Sequence, residues 1–196
     1  MRALIAAFAA LGLWAVPQLA CAHADGADGG LVQGLLHPVF GLDHLLAMVC
    51  VGVVSAQRGG TDLWRLPATF VVAMVVGGLW GRFAGAATWS ELVELGIAAS
   101  LIVLGASMMA MPRRLPWTGI YACVALFGAC HGLAHGAEMP KAASPLFYSV
   151  GFVISTSFLH VCGLLLSEVA TMRRSLSIAL RLGAASVSVF GIVLLL

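Results

Sequence analysis

Six long apolar stretches set what this chain can fold into: about Leu31 to Ser55, Leu66 to Phe83, Leu92 to Met111, Trp117 to Gly136, Leu146 to Glu168 and Ile178 to Leu196. None of the six contains more than one Asp, Glu, Lys or Arg. A helix needs roughly 20 apolar residues to cross the hydrocarbon core of a bilayer. Inside lipid a segment must satisfy its own backbone hydrogen bonds, so continuous runs of this length predict helices. A β-barrel would show short segments of alternating polarity instead. Only 9% of the 196 residues are charged and 61% are hydrophobic, against roughly 25% charged in a soluble domain. So few charges exclude a disordered chain, a nucleic-acid binder and a binder of acidic partners. The expected fold is all-α, a polytopic membrane bundle of six transmembrane helices with lipid as its main solvent.

A shorter apolar run comes first. Arg2 gives a positive start, Ala3 to Val16 form the apolar core and Pro17 ends it; Ala20, Cys21 and Ala22 then supply the small residues of a secretory cleavage site. Residues 1–22 are expected to be a cleaved signal peptide, and 23–196 a single six-helix transmembrane domain beginning at His23. Orientation follows from Lys and Arg placement. With His23 outside, the inner connections carry Arg58, Arg65, Arg113, Arg114, Arg173, Arg174 and Arg181, and the outer ones only Arg82 and Lys141. That is a clear positive-inside bias, and it puts both ends of the mature chain outside.

Most of the remaining composition reads as packing. Glycine is abundant, 23 in all, and small residues let membrane helices approach closely. Cys50, Cys123, Cys130 and Cys162 fall within apolar spans and are expected to be buried thiols packing as small hydrophobes.

Ionisable side chains within spans are costly and mark function. Here they concentrate on three spans. The first holds His37, Asp43 and His44 in the run His37-Pro-Val-Phe-Gly-Leu-Asp43-His44; the fourth holds His131, His135 and Glu138; the fifth holds His160. His131, His135 and Glu138 are spaced i, i+4, i+7 and line one helix face. Imidazoles at i and i+4 can share one divalent metal ion. His37 and His44 also share a face, but on an intact helix they would stand roughly 10 Å apart. Pro38 and Gly41 lie between them, and a broken segment there would bring the ligands together and free carbonyls to line a cavity.

Charge balance favours a metal ion. Asp43 and Glu138 offset a divalent cation, and neither span carries a Lys or Arg in its middle to pair with them. The neutral alternative is protonation, as in a proton relay. Imidazole with carboxylate suits nickel, zinc, copper or cobalt alike. The candidate ligands are His37, Asp43, His44, His131, His135 and Glu138, with His23 and His160 at the two ends of a staircase leading inward. His23 as a new amino terminus would offer both an amine and an imidazole, against a plain reading as a solvated terminal residue. The plain reading of His160 is an interhelical hydrogen bond.

The pairing of H-P-x-x-G-x-D-H with H-G-x-A-H-G-x-E-x-P resembles the HupE/UreJ family. The residues are His37, Pro38, Gly41, Asp43 and His44, then His131, Gly132, Ala134, His135, Gly136, Glu138 and Pro140. The match extends over the leader, six spans and both motifs. The resemblance implies a bacterial inner-membrane permease for nickel, sometimes cobalt, linked to hydrogenase or urease maturation. The metal would be a transported substrate, with no permanently bound cofactor and no enzymatic step. No Walker-type motif is present and Lys141 is the single lysine, so facilitated diffusion is expected. Expected partners are the divalent ion and membrane lipid, with self-association into a homo-oligomer left open. Two other readings use the same residue types: a zinc-dependent intramembrane hydrolase with Asp43 activating water, and a haem-binding anchor with paired axial histidines.

Overall fold

The computed structural model describes residues 27–84, 90–110, 116–139 and 143–196. The leader with its expected cleavage site lies outside them, as do His23, Arg113, Arg114 and Lys141. Every regular element among the described residues is a helix: α1 Ala27–Phe40, α2 Leu42–Arg58, α3 Asp62–Ala84, α4 Ser90–Met109, α5 Trp117–Glu138, α6 Pro145–Thr171 and α7 Arg174–Val193. The helices α3 to α7 are each long and apolar enough to cross a membrane. The first apolar stretch departs from a simple span. It divides into α1 and α2, bent by 81° at their junction, which pass the same test of length and polarity only as a pair and bring the count from five spans to six when taken as one.

Two residues make that break. Pro38, inside α1, has no N–H to give to the carbonyl four residues back. Gly41 then leaves the helical region at φ −82°, ψ 109°. Its N–H reaches the His37 carbonyl only at 3.4 Å, while its own carbonyl opens α2 by accepting from Leu45 N–H at 2.9 Å. A Cβ at position 41 would come within 3.0 Å of His44 Nδ1 and 3.2 Å of Asp43 Oδ1. A side chain at the junction would therefore crowd both groups and make them give by a few tenths of an ångström. At the far end of α2, the Asp62 carboxylate that opens α3 accepts from Arg58 Nε and from the Tyr121 hydroxyl at 2.7 Å, tying α2, α3 and α5 together there. This explains why α3 starts ahead of its apolar stretch.

The outward faces are apolar. Val72, Trp80 and Phe83 of α3 and Phe158 of α6 are more than 60% exposed, and α7 buries only Ala184 and Gly191. In water such a surface would be a liability; against lipid it is the expected one. Because lipid tails are as apolar as the helices, association depends on close approach at small residues. Helices α3 and α5 run parallel in backbone contact. Gly128, Gly132 and Gly136 of α5 face the carbonyls of Phe70, Met74 and Gly78, and Gly77 and Gly81 of α3 face those of Ala129 and Leu133. A Cβ at any of these five would overlap the opposing carbonyl.

Helix α6 is crossed twice. Gly34 of α1 and Gly151 of α6 allow the first crossing; Gly52 of α2 and Gly163 of α6 allow the second. Helices α4 and α7 pair antiparallel, with Gly105 against Ala184 and Gly191 against Ala98. Taking α1 and α2 as one span, the most extensive interfaces join spans two and four, one and five, and three and six. Exchanging span one with four, two with five and three with six maps this set onto itself, as an inverted repeat of three-span halves would. Of the smaller interfaces, those of span one with two, one with three and five with six have no counterpart of like extent under the exchange.

Gly132→Ala is expected to lower the thermal midpoint of the detergent-purified protein, since overpacking a close-packed site costs about 1–3 kcal/mol and the obstacle here is backbone. Gly183→Ala, where nothing lies within 4 Å of the new carbon, should leave the midpoint unchanged or raise it. A thermal scan of the two variants beside the parent protein checks both.

Candidate metal site

The site grows out of the repeat in α5. His131 and His135 are one turn apart, and each is followed by a glycine, Gly132 and Gly136, that turns toward α3. Successive residues point roughly 100° apart around a helix. The glycines thus seat α5 on α3, while the His135 imidazole meets α1, α2 and α6 and that of His131 meets α2 and the Phe70 ring of α3. The bend at Gly41 supplies the other side of the site, carrying His37 in the last turn of α1 and Asp43 in the first turn of α2.

Side chains from the two sides alternate. His37 Nε2 lies 3.2 Å from Glu138 Oε2. The His37 ring is 4.7 Å from that of His135, His135 is 4.2 Å from His44, and His44 is 4.9 Å from His131. The two histidines that an unbroken helix would hold apart both touch His135. The ladder runs from Glu138, 55% exposed, to His131, which is fully buried. At its exposed end one donor atom each from His37, His135 and Glu138 lie within 4.8 Å of one another. Bonds of about 2 Å would bring such donors roughly 3.5 Å apart, so a small inward movement turns this triangle into a coordination site.

Hydrogen bonds set which imidazole nitrogens can bind an ion. The carbonyl of Phe127 can only accept, so His131 donates to it from Nδ1 at 2.9 Å, leaving the lone pair on Nε2. His44 donates from Nδ1 to Asp43 Oδ1 at 2.8 Å, with the same consequence. The same oxygen accepts the His44 backbone N–H at 2.9 Å, and its charge sits favourably in the first turn of α2. Orientation of a ligating imidazole by a carboxylate or carbonyl is a recurrent feature of metal sites. His44 Nε2, His131 Nε2 and both nitrogens of His135 are buried without a hydrogen-bond partner among the described residues. Each such orphan costs about 1–3 kcal/mol, and a divalent cation relieves several at once.

The structure thus brings six sequence candidates together: His37, Asp43, His44, His131, His135 and Glu138. His23 lies outside the described residues. His160 is buried but apart from the ladder. Its ring meets Phe70 edge-on at 5.4 Å, and neither of its nitrogens has a hydrogen-bond partner among the described residues, so the interhelical hydrogen bond expected for it is not formed there.

Other residues at the site escaped the sequence reading. Phe152 packs 4.2 Å from His135, Tyr148 lies 5.9 Å from His37, and Gln33 stands one turn before His37 with a buried, unpaired Oε1. Tyr148, one of two tyrosines in the chain, and Gln33, an amide inside a span, were the available signals. Phe152 gave none.

Fold and ladder together define the class: a polytopic helical membrane protein with a buried imidazole and carboxylate site within the bundle. Residues 5–194 match the model of the HupE / UreJ protein family. The chain is 36% identical over 154 residues to Protein HupE of Rhizobium leguminosarum bv. viciae, covering 79% of this chain and 78% of that one. It belongs to the HupE/UreJ family. No solved structure matches it.

Removing the carboxylate that orients His44 tests the site without touching an imidazole. Asp43→Ala is expected to weaken Ni²⁺ binding by the purified protein about 10–100-fold, the usual effect of losing such a partner. Calorimetric titration in detergent reads the change directly.

Proposed function

We propose that this chain is a permease that carries Ni²⁺, or Co²⁺, inward across the inner membrane of a bacterium and so supplies the maturation of hydrogenase or urease. The observation that carries the reading is the alternating ladder, which runs from the half-exposed His37–Glu138 pair to buried, unpaired nitrogens on His135, His44 and His131. Membership of the HupE/UreJ family supports transport over catalysis. Imidazole nitrogens with two carboxylates favour borderline ions such as nickel and cobalt over Mg²⁺ or Ca²⁺, which prefer oxygen ligands.

The ladder allows an ion to move without ever being bare. Captured by Glu138, His37 and His135, it keeps His135 while gaining His44, and then keeps His44 while gaining His131. Each step exchanges one ligand and retains another. Asp43 and Glu138 offset its charge along the way. Binding at each rung is shared by few ligands, which suits an ion that must leave again.

Direction is supported by charge placement. Arg58 and Arg65 flank the α2–α3 turn and Arg173 and Arg174 the α6–α7 turn, at the bundle end away from Glu138. The positive-inside rule makes that end cytoplasmic and turns the Glu138 end and both termini to the periplasm. A membrane potential, negative inside, then drives entry by about 2.3 kcal/mol per charge per 100 mV.

Uptake of radioactive nickel into proteoliposomes checks the reading. The parent protein should give saturable uptake inhibited by cobalt, and Asp43→Ala and His131→Ala should lose it while remaining in the membrane. Retained uptake in both variants would overturn the ligand assignment. Uptake no faster than in empty vesicles, by parent protein that still binds nickel, would overturn the permease and favour an intramembrane hydrolase.

A further inference from the structure

The ladder does not reach across the bundle. Beyond His131 the next imidazole is that of His160, and among the described residues no ring contact joins the two. Phe70 of α3 touches both, 5.6 Å from His131 and 5.4 Å from His160. Its side chain is fully buried and belongs to a dry stripe of α3 formed by Leu66, Phe70 and Met74 at i, i+4 and i+8. Phe70 lies about a turn short of the middle of α3, Asp62–Ala84, on the side of Asp62.

An ion on His131 Nε2 reaches only about 2 Å to its next ligand. With the phenyl ring in place it cannot be passed to His160 by the exchange that serves the other rungs, and the ring offers no lone pair. A hydrophobic constriction of this kind stops ions by excluding water. What lies beyond it is suited to receive one. Both nitrogens of His160 are without a hydrogen-bond partner among the described residues.

The neighbourhood also leaves room for movement. A cavity of about 40 Å³ is lined by Met74, Gly132, His135 and Phe152 among others, enough for a few water-sized volumes. A flexible Met74 side chain can shift into it and release the Phe70 ring one turn below.

We propose that Phe70 is the barrier of the transport path, a ring that separates the ladder ending at His131 from a receiving imidazole at His160, and whose displacement passes the ion on. Phe70 is a positioning residue and not a ligand. The proposal rests on the permease reading, and the test separates the two.

The experiment uses the full chain in proteoliposomes, with nickel as the probe, and equilibrium nickel binding measured in detergent. Phe70→Ala should raise the initial rate of nickel uptake about tenfold, as lowering a barrier by about 1.4 kcal/mol does, and should raise Mn²⁺ uptake above that of the parent protein. Nickel binding should stay within about twofold of the parent value, since Phe70 supplies no ligand atom. Should Phe70→Ala fail to fold, Phe70→Leu and Phe70→Trp decide, with rates expected in the order Leu, Phe, Trp from fastest to slowest. Equal rates and equal selectivity in the variants and an active parent would overturn the barrier and leave the permease standing. A parent protein that binds nickel but gives no uptake would overturn both.

Discussion

A straight helix presents its side chains at a fixed rise, and no straight helix can aim His37 and His44 at one partner. The 81° bend between α1 and α2 removes that restriction, and the rest of the site depends on it. Breaking a helix within a membrane leaves backbone groups without their usual partners, so a break persists only where protein surrounds it. Here α6 supplies the surroundings. It is crossed by α1 near Gly151 and again by α2 near Gly163, so both arms of the bend are held by one continuous helix of 27 residues. The bend angle is fixed by where those two glycine crossings fall.

Polarity within the bundle is arranged with unequal satisfaction. His131 and His44 each have one nitrogen fixed by a hydrogen bond and the other left without a partner, and His135 has neither paired. A bundle selected for stability alone would not leave four such nitrogens buried, at about 1–3 kcal/mol each. The glycine contacts of α3 with α5 and of α6 with α1 and α2 hold the bundle together despite that cost. Stability and function are thus assigned to different faces of the same helices, most plainly on α5, where each histidine is followed by the glycine that seats it.

Much of this was legible in the sequence for a physical reason. Long apolar runs have few structural options in lipid, and ionisable residues inside them are expensive enough to stand out against the background. That is why the helical class, and the group His37, Asp43, His44, His131, His135 and Glu138 that the structure gathers, could be named in advance. Pro38 and Gly41 marked where the first span would break, although not by what angle. The aromatic residues could not be named. Phe70, Phe152 and the stripe of Leu66 and Met74 are apolar side chains in apolar runs, and nothing in composition separates those facing a path from those facing lipid. The same holds for partner choice: 23 glycines announce close packing, but only coordinates reveal that α5 lies on α3 and α1 on α6.

The backbone contact between α3 and α5 bears on how the molecule can move. Side chains between helices act as bearings, because rotamers can change as the helices slide. Along the register from Phe70–Gly128 to Gly78–Gly136 glycines set one backbone directly against the other, so the pair behaves as a single rigid strut. Any working cycle must therefore leave this strut intact and place its motion elsewhere, between it and the arm that α1 and α2 form with α6, whose glycine crossings are as close, and in individual side chains borne on the strut. His131, His135 and Phe70 all ride on that fixed frame, while His37, Asp43 and His44 ride on the arm. Opening and closing of the path then amounts to an arm swinging against a post.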